Sequence, residues 1–290
     1  MTGSREARGP DFLVIGAHRA GTTWLHRVLR QHPALWLPPV KELHYFDQLT
    51  ATRTWQDEKR WRRAIASGRR LLNPWHIRFL FGRRADDWYA RLFRRAQRRG
   101  RLAGEITPAY ATLDEDVFRR VRRINHEIKL IFIMRDPVDR AWSAVNNALR
   151  KGSVGDAFKI QNALEHAHTR GFLARSAYTD TLRRLQAVFP ASQLHFCFFD
   201  HLKEEPRRFV GSLLSFLGVD SKEVDQLLPP GAVNSAAGSQ PIPTEVQQKI
   251  AVEYLPMVEE LCQRFDGPPQ KWRARYQMIL GSTPRARSSA

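Results

Sequence analysis

The chain has 290 residues, a hydrophobic fraction of 42% and a formal net charge of +18, from 47 Lys and Arg against 29 Asp and Glu. This length fits one large α/β domain, and the longest apolar run, around residues 130–134, is far shorter than the ~20 residues of a membrane span. Residues 1–10 are polar and lack the apolar stretch of a secretory signal. We therefore expect a flexible N-terminus on a soluble, cytoplasmic protein.

The positive charge makes nucleic acid a partner class to consider. However, the arginines are dispersed rather than gathered in one recognition helix, and they fall in residues 53–101, 119–123, 183–184 and 273–287. The sequence shows no helix-turn-helix, zinc-finger or aromatic RNA-binding pattern. A small, highly anionic cosubstrate explains part of the charge, and we predict no specific nucleic-acid partner.

The chain has only two cysteines, Cys197 and Cys262, which lie far apart in the sequence and lack metal-ligand neighbours. In a reducing compartment this pattern favours two buried thiols over a disulfide. We expect no metal site.

Short apolar runs alternate with helical patterns, which is typical of βαβ units. We predict an α/β, P-loop-like three-layer fold in which helices flank a central parallel sheet. The predicted strands are residues 12–15, 35–37, 101–105, 129–134 and 193–199. The predicted helices are residues 23–31, 85–99, 114–124, 138–150, 174–188 and 244–264. The helix at 138–150 has a start signal, because Asp136 is a good N-cap and Pro137 suits the first helical position.

We predict one domain over residues 11–276. Within it, residues 50–84 are rich in Trp and Arg without a clear period, and we interpret them as a helical insertion near the active face. Residues 232–243 are small, polar and proline-bearing, which predicts a loop. Residues 277–290 are predicted to be a basic tail.

The segment Gly16 to Thr23 follows an apolar strand and opens an amphipathic helix. Unpaired N–H groups and aligned dipoles make such a helix start a site for phosphate or sulfate. Nucleoside triphosphatases have Lys where this chain has Thr22. The positive charge lies at Arg19 instead, which disfavours metal-triphosphate chemistry. The alternative is a turn that only joins strand to helix.

A second candidate anion site follows the strand at 129–134, which ends in Arg135 and Asp136. Ligands of open parallel sheets bind beyond the carboxyl ends of the strands, which is where Arg135 falls. Ser143 lies seven residues after Asp136, almost two helical turns, and so returns to the same face. Arg135 and Ser143 could therefore hold one phosphate. Alternatively, Arg135 caps carbonyl groups and Ser143 is a solvated helix residue.

Both segments resemble motifs of sulfotransferases that use 3′-phosphoadenosine 5′-phosphosulfate (PAPS). The run GAHRAGTTWL resembles their 5′-phosphosulfate loop, and KLIFIMRDPVDRAWS resembles their 3′-phosphate motif. GEITPAY, at residues 104–110, is similar to the G-E-K-[ST]-P-x-Y segment of glycan, heparan-sulfate-type members and their bacterial relatives, with Ile106 in place of Lys. The resemblance covers most of residues 11–276. It implies that PAPS is the cosubstrate and is bound by Arg19, Ala20, Gly21, Thr22, Thr23, Trp24, Arg135 and Ser143.

Residues 41–47, KELHYFD, resemble the K-E-x-H-[FY]-F-[DS] segment of the glycan-type family. Sulfuryl transfer needs a base for the acceptor proton and cations on the leaving group. The resemblance gives Glu42 the role of base, with Lys41 and His44 as second candidates, and Arg19 completes the catalytic set. Asp47 is a candidate for orienting the acceptor. A surface Lys41–Glu42 ion pair is the structural alternative.

The function predicted from the sequence is thus sulfuryl transfer from PAPS to a hydroxyl or amine of a glycan, lipid or small metabolite. A P-loop kinase or NTPase is the first alternative, but it would require Lys at position 22 and an acidic strand end for magnesium. A basic nucleic-acid-binding protein is the second, and salt-dependent DNA retention would favour it. The sequence identifies neither the acceptor nor the oligomeric state.

Overall fold

A computed structural model describes residues 8–48, 74–150, 174–222, 224–228 and 241–281. Within these ranges five strands form one parallel sheet, in the order β2-β3-β1-β4-β5. The strands are β1 Phe12–Gly16, β2 Leu35–Trp36, β3 Leu102–Ile106, β4 Lys129–Met134 and β5 Leu194–Phe198. The predicted strands and the predicted α/β class are confirmed, with boundaries shifted by one residue or so.

Helices flank this sheet. They are α1 Thr22–Leu29, α2 Pro74–Phe81, α3 Asp86–Arg91, α4 Arg94–Gln97, α5 Glu115–Ile124, α6 Pro137–Arg150, α7 Tyr178–Val188, α8 Phe199–Glu204, α9 Pro206–Leu217, α10 Val224–Leu227, α11 Thr244–Arg264 and α12 Pro268–Gly281. Short 3₁₀ turns occupy Phe46–Gln48, Pro108–Thr112, Ala174–Ser176 and Ala191–Gln193. None of the helices in the described ranges has both the length and the apolarity that crossing a bilayer requires.

The prediction of one helix over 85–99 was wrong, because the segment forms α3 and α4 with a turn between them. Leu92 and Phe93 lie between the two helices and are both buried. Their N–H groups bond three residues back, to Tyr89 and Ala90, as in a tight turn rather than an α-helix. The Trp75 indole donates to the Leu92 carbonyl at 3.0 Å and holds this turn against α2.

The core explains why the central strands have continuous apolar sequences. Every residue of β1 is buried, and β4 is buried from its second residue onward. Sheets covered by helices on both faces require such runs. β1 pairs with β3 on one side and with β4 on the other. The loop after β1 therefore opens where the strand order reverses, which is the usual ligand crevice of such sheets.

Several predictions concern the edges of the domain. The helix Pro268–Gly281 extends beyond residue 277, where the basic tail was predicted to begin, and residues 282–290 lie outside the described ranges. Of the predicted insertion, the helix Pro74–Phe81 is described and residues 49–73 are not. Most of the predicted loop at 232–243 also lies outside the described ranges. Cys197 is a buried free thiol as predicted, whereas Cys262 is partly exposed because it lies at the edge of α11.

Candidate active site

The loop between β1 and α1 has the backbone geometry of an anion cradle. Gly21 begins α1 with a φ of 79°, in the left-handed region that favours glycine. A Cβ at this position would lie 2.6 Å from Leu202 Cδ2, so a larger residue would not fit without a shift. Among the described residues no side chain caps the start of α1, and its first turn carries no acidic residue. The N–H groups at the helix start are thus available to an anion.

Arg19 connects the two anion motifs that the sequence separates by more than a hundred residues. Its Nε atom donates to Ser143 Oγ at 3.0 Å, and its backbone carbonyl accepts from Arg135 Nη1 at 2.6 Å. The Arg135 guanidinium lies over the Phe199 ring, 4.8 Å from its centroid. The structure therefore brings Arg19, Arg135 and Ser143 together. It differs from the simplest prediction in one respect, because the Ser143 hydroxyl contacts Arg19 rather than Arg135.

Asp136 fixes the end of β4 from which Arg135 projects. Its Oδ1 accepts from the Val138 N–H at 2.8 Å, which confirms the predicted N-cap of α6. The same carboxylate accepts from Tyr276 Oη at 2.9 Å and from Arg275 Nη1 at 2.8 Å, so α12 buttresses the cap. Burial, followed by the nearby Asp139 charge, raises the pKa of Asp136 to about 6.

The predicted catalytic segment forms a chain of alternating charges. Lys41 donates to Glu42 Oε1, and the other oxygen, Oε2, lies 3.5 Å from His44 Nε2. His44 Nδ1 in turn lies 2.7 Å from Asp47 Oδ2. Glu42 and His44 have φ values of 62° and 52°, a conformation that costs a non-glycine residue roughly 1 kcal/mol or more. The segment is therefore held in a shape that its own backbone disfavours.

These contacts determine which of the predicted bases can accept a proton. Burial opposes the charge on Glu42, but the hydrogen bond from His44 and the Lys41 ammonium outweigh it and lower the pKa of Glu42 to about 2. Burial also opposes the charge on His44, yet its bonds to Asp47 and Glu42 raise the pKa of His44 to about 9. At neutral pH Glu42 is a carboxylate and His44 is a cation. Of the two, only Glu42 has a proton-accepting atom.

The structure brings a further residue to this segment, Glu105, which the sequence analysis quoted only as part of GEITPAY. It lies at the end of β3 with 1% of its surface exposed, and burial raises its pKa. Its Oε2 accepts from the Leu43 N–H at 3.2 Å, between Glu42 and His44. Glu105 therefore accepts a hydrogen bond from the backbone of the predicted catalytic segment.

His18 is a second residue that the sequence analysis did not single out as functional. It belongs to the loop after β1, and its Nε2 atom is buried without a hydrogen-bond partner among the described residues. Burial, together with the Arg175 charge, lowers the pKa of His18 to about 3, so its ring is neutral. Glu42 and His44 are among the charges that act on it. A sequence signal was present, since His18 lies inside the GAHRAGTTWL motif.

The remaining predicted donor-binding residues lie around the start of α1. Ala20, Thr22 and Trp24 are buried, and Thr23 is exposed. Trp24 Nε1 is buried with no hydrogen-bond partner in the described part of the chain. A helix start without an acidic residue, the two cations Arg19 and Arg135 and the unbonded buried Trp24 N–H fit a ligand bearing phosphate and sulfate groups.

Ile106, which replaces the Lys of the G-E-K-[ST]-P-x-Y segment, is a core residue. It is 1% exposed and pairs with Val14 in the register between β3 and β1. An apolar side chain at this position packs in the core and offers no charge to a ligand. Recognition of the acceptor must therefore depend on other residues.

Comparison with known proteins identifies the family of the chain. The model of the Sulfotransferase family matches residues 10–223, well over half of the chain. The chain belongs to the sulfotransferase family. The matched range includes the loop after β1, the KELHYFD segment, GEITPAY and the strand ending in Arg135.

Curated relatives include heparan sulfate glucosamine 3-O-sulfotransferase 5 of Mus musculus, 27% identical over 207 residues, which are 68% of this chain and 50% of the relative. Heparan sulfate glucosamine 3-O-sulfotransferase 6 of Homo sapiens is 28% identical over 229 residues, which are 78% and 57% of the two chains. This chain thus spans about half the length of the curated relatives it matches.

Among solved structures, a sulfotransferase from Alicyclobacillus acidocaldarius aligns with a TM-score of 0.65 at 23% identity, over 91% of this chain and 98% of that one. A sulfotransferase domain from the curacin biosynthetic pathway aligns with a TM-score of 0.55 at 17% identity, over 84% and 97%. These likenesses confirm the predicted P-loop-like fold.

Proposed function

We propose that the protein transfers a sulfuryl group from PAPS to a hydroxyl or amine of an acceptor molecule. The observation that carries the proposal is the contact of Arg19 with both Ser143 and the Arg135 side chain. It joins the loop after β1 to the end of β4 in one cationic site. PAPS carries a phosphosulfate at one end and a 3′-phosphate at the other, so its binding requires two adjacent anion-binding positions within that cationic site.

In this proposal the chain holds the donor at two points. The start of α1 and Arg19 receive the 5′-phosphosulfate, while Arg135 and Ser143 receive the 3′-phosphate. Trp24 and the left-handed Gly21 shape the cradle between them. PAPS supplies an activated sulfuryl group, and its transfer leaves adenosine 3′,5′-bisphosphate. Cations on the leaving phosphate favour that departure.

Glu42 is the proposed general base, and it accepts the proton of the attacking hydroxyl or amine. Its pKa of about 2 makes it a weak base. A weak base suffices here because an acceptor oxygen becomes strongly acidic as it bonds to sulfur. Lys41 and the His44 cation hold the carboxylate ionised, and Asp47 holds His44 in place.

The acceptor is proposed to be a glycan, lipid or small metabolite, and the two named relatives act on glucosamine of heparan sulfate. A cytoplasmic location and the absence of a metal requirement also stay predictions.

The test is a screen of acceptors with ³⁵S-labelled PAPS, including a heparan-type glycan, a phenol and a lipid alcohol. We expect labelled product without added magnesium, and inhibition by adenosine 3′,5′-bisphosphate. The Arg135→Ala variant should lose activity at low donor concentration. Labelled ATP serves as a control for the kinase alternative, and phosphate transfer from ATP in place of sulfuryl transfer from PAPS would overturn the proposal.

A further inference from the structure

A buried carboxylate lies directly beneath the catalytic segment. Both oxygens of Glu105 are occupied: Oε1 accepts from Tyr89 Oη at 2.5 Å and from Tyr110 Oη at 2.9 Å. Oε2 accepts from Thr107 Oγ1 at 2.9 Å and from the Leu43 N–H at 3.2 Å. A carboxylate has about four acceptor positions, and four donors fill them here. Burying a charge costs free energy unless the charge is fully hydrogen-bonded, so the presence of a carboxylate here calls for a structural or functional explanation.

The explanation lies in the hydrogen bonds that Glu105 makes with the backbone around Leu43. Leu43 lies between Glu42 and His44, both of which have left-handed φ values. Its N–H is the donor to Glu105 Oε2. Two residues later the Tyr45 N–H donates to Tyr110 Oη at 2.9 Å, and that hydroxyl donates to Glu105 Oε1. Glu105 is thus connected to the segment on both sides of His44, once directly and once through Tyr110.

We propose that Glu105 is a positioning residue that holds Glu42 and His44 in their left-handed conformations and so aims the Glu42 carboxylate at the acceptor. The inference rests on the proposed function of Glu42 as base. Glu105 itself does not touch the reacting atoms. Without its oxygen at the Leu43 N–H, the segment would relax toward ordinary φ values. Glu42 would then leave its place between Lys41 and His44.

The variant Glu105→Gln tests this directly, because it keeps the size of the side chain. A carboxamide has a single oxygen and an NH₂ group that only donates. An NH₂ group that faces Thr107 and Leu43 cannot accept from the Leu43 N–H, and one that faces Tyr89 and Tyr110 requires both hydroxyls to accept instead of donate. The variant Tyr110→Phe is the second arm, because it removes the indirect connection and leaves the carboxylate in place.

The matched control is Phe118→Leu, a buried substitution in α5, where the Phe118 ring packs against Phe189. The first readout needs no acceptor: amide hydrogen exchange of Leu43 and Tyr45, alongside binding of adenosine 3′,5′-bisphosphate. We expect exchange on the order of tenfold faster or more at Leu43 in Glu105→Gln and at Tyr45 in Tyr110→Phe. Bisphosphate binding should be unchanged, and Phe118→Leu should leave both amides protected.

The second readout is single-turnover transfer from ³⁵S-labelled PAPS to the acceptor selected in the screen. We expect a loss on the order of 10²-fold in Glu105→Gln, as a small misplacement of a catalytic group produces. The acid limb of its pH profile should move to higher pH, because Glu42 loses the bonds that depress its pKa. Phe118→Leu should show neither change.

Three outcomes separate the possibilities. Wild-type exchange, turnover and acid limb in both Glu105→Gln and Tyr110→Phe would overturn the positioning role. If Glu105→Gln does not fold, faster exchange at Tyr45 with lower turnover in Tyr110→Phe supports the proposal, and wild-type behaviour there overturns it. If the wild-type protein transfers sulfate to none of the acceptors in the screen, the proposed function is contradicted. The exchange experiment still tests whether Glu105 restrains the backbone at Leu43.

Discussion

The proposed donor side and the proposed acceptor side of the site are built in different ways. On the donor side, the loop after β1 and the end of β4 lie at adjacent strand ends, so the parallel sheet itself brings Arg19 and Arg135 together. On the acceptor side, Glu42 lies in a segment of left-handed residues that is held by a buried carboxylate from β3. The strand pairing alone brings the donor-side arginines together, whereas the conformation of the Glu42 segment depends on a few specific hydrogen bonds.

This comparison predicts that the two sides separate in experiments. Substitutions of Arg135 and Ser143 should weaken donor binding and leave the rate of the chemical step unchanged. Acceptor-side substitutions should slow the chemical step and leave donor binding unchanged.

The largest expected effect is on the acceptor side, in Glu42→Gln. Removing a general base typically costs ~10²–10⁴-fold in rate, and the amide preserves the size of the side chain. Single-turnover transfer from labelled PAPS should fall by that factor, with bisphosphate affinity within a few-fold of wild type. Glu115→Gln is the matched control, because Glu115 forms an exposed ion pair with Arg119. Turnover near the wild-type rate would show that another group takes the proton.

The donor side should be visible as stabilisation by ligand. A ligand bound only by the folded state at about 100 times its Kd adds about 2.7 kcal/mol to the free energy of unfolding. For a domain of this size that raises Tm by roughly 5–10 °C. Adenosine 3′,5′-bisphosphate should produce this shift without magnesium in wild type and in Glu42→Gln. A Tm that does not respond at saturating bisphosphate would count against the donor site.

Arg135→Ala should weaken bisphosphate binding by about 1.5–3 kcal/mol, the usual cost of losing a hydrogen bond to a charged group. Ser143→Ala should cost about 1.5–3 kcal/mol as well, because its hydroxyl would donate to the same charged phosphate. Calorimetric titration with adenosine 3′,5′-bisphosphate and with adenosine 5′-phosphate measures both. Arg183→Ala, an exposed arginine paired with Asp180, is the control. The site is misplaced if the variants keep the wild-type preference for the 3′-phosphate.

The smallest expected effect is the pH dependence of stability that His44 contributes. Its pKa is about 9 in the folded protein against 6.5 for an unperturbed histidine. A raised pKa means that the stabilisation is complete below about pH 6.5 and is lost as the pH rises through about 9. The free energy of unfolding of wild type relative to His44→Gln should therefore fall on the order of 2 kcal/mol over that window. Denaturant titrations of both proteins at a series of pH values measure it, and parallel curves would mean that His44 is not held as a cation.

Much of this molecule could be predicted from the sequence because of one geometric rule. Apolar runs that alternate with helical patterns indicate a parallel sheet, and side chains at the carboxyl ends of its strands converge. That rule led from Gly21, Arg19 and Arg135 to the donor site. The family motifs added Glu42 and Ser143, which local pattern alone would have left as an ion pair and a solvated hydroxyl.

What only the tertiary structure decided are contacts between residues far apart in the chain. Arg19 and Ser143 are 124 residues apart, and Glu105 and Leu43 are 62 apart. A sequence pattern carries no distance across such separations. The helix break at Leu92 and the protonation of His44 could not be predicted from the sequence either. The turn at Leu92 is held by a hydrogen bond from Trp75, and the charge on His44 depends on the positions of Asp47 and Glu42. The sequence by itself supplied the candidate groups, and the contacts among Lys41, Glu42, His44 and Asp47 decided which of them are charged, because a pKa depends on which charges and hydrogen bonds lie nearby.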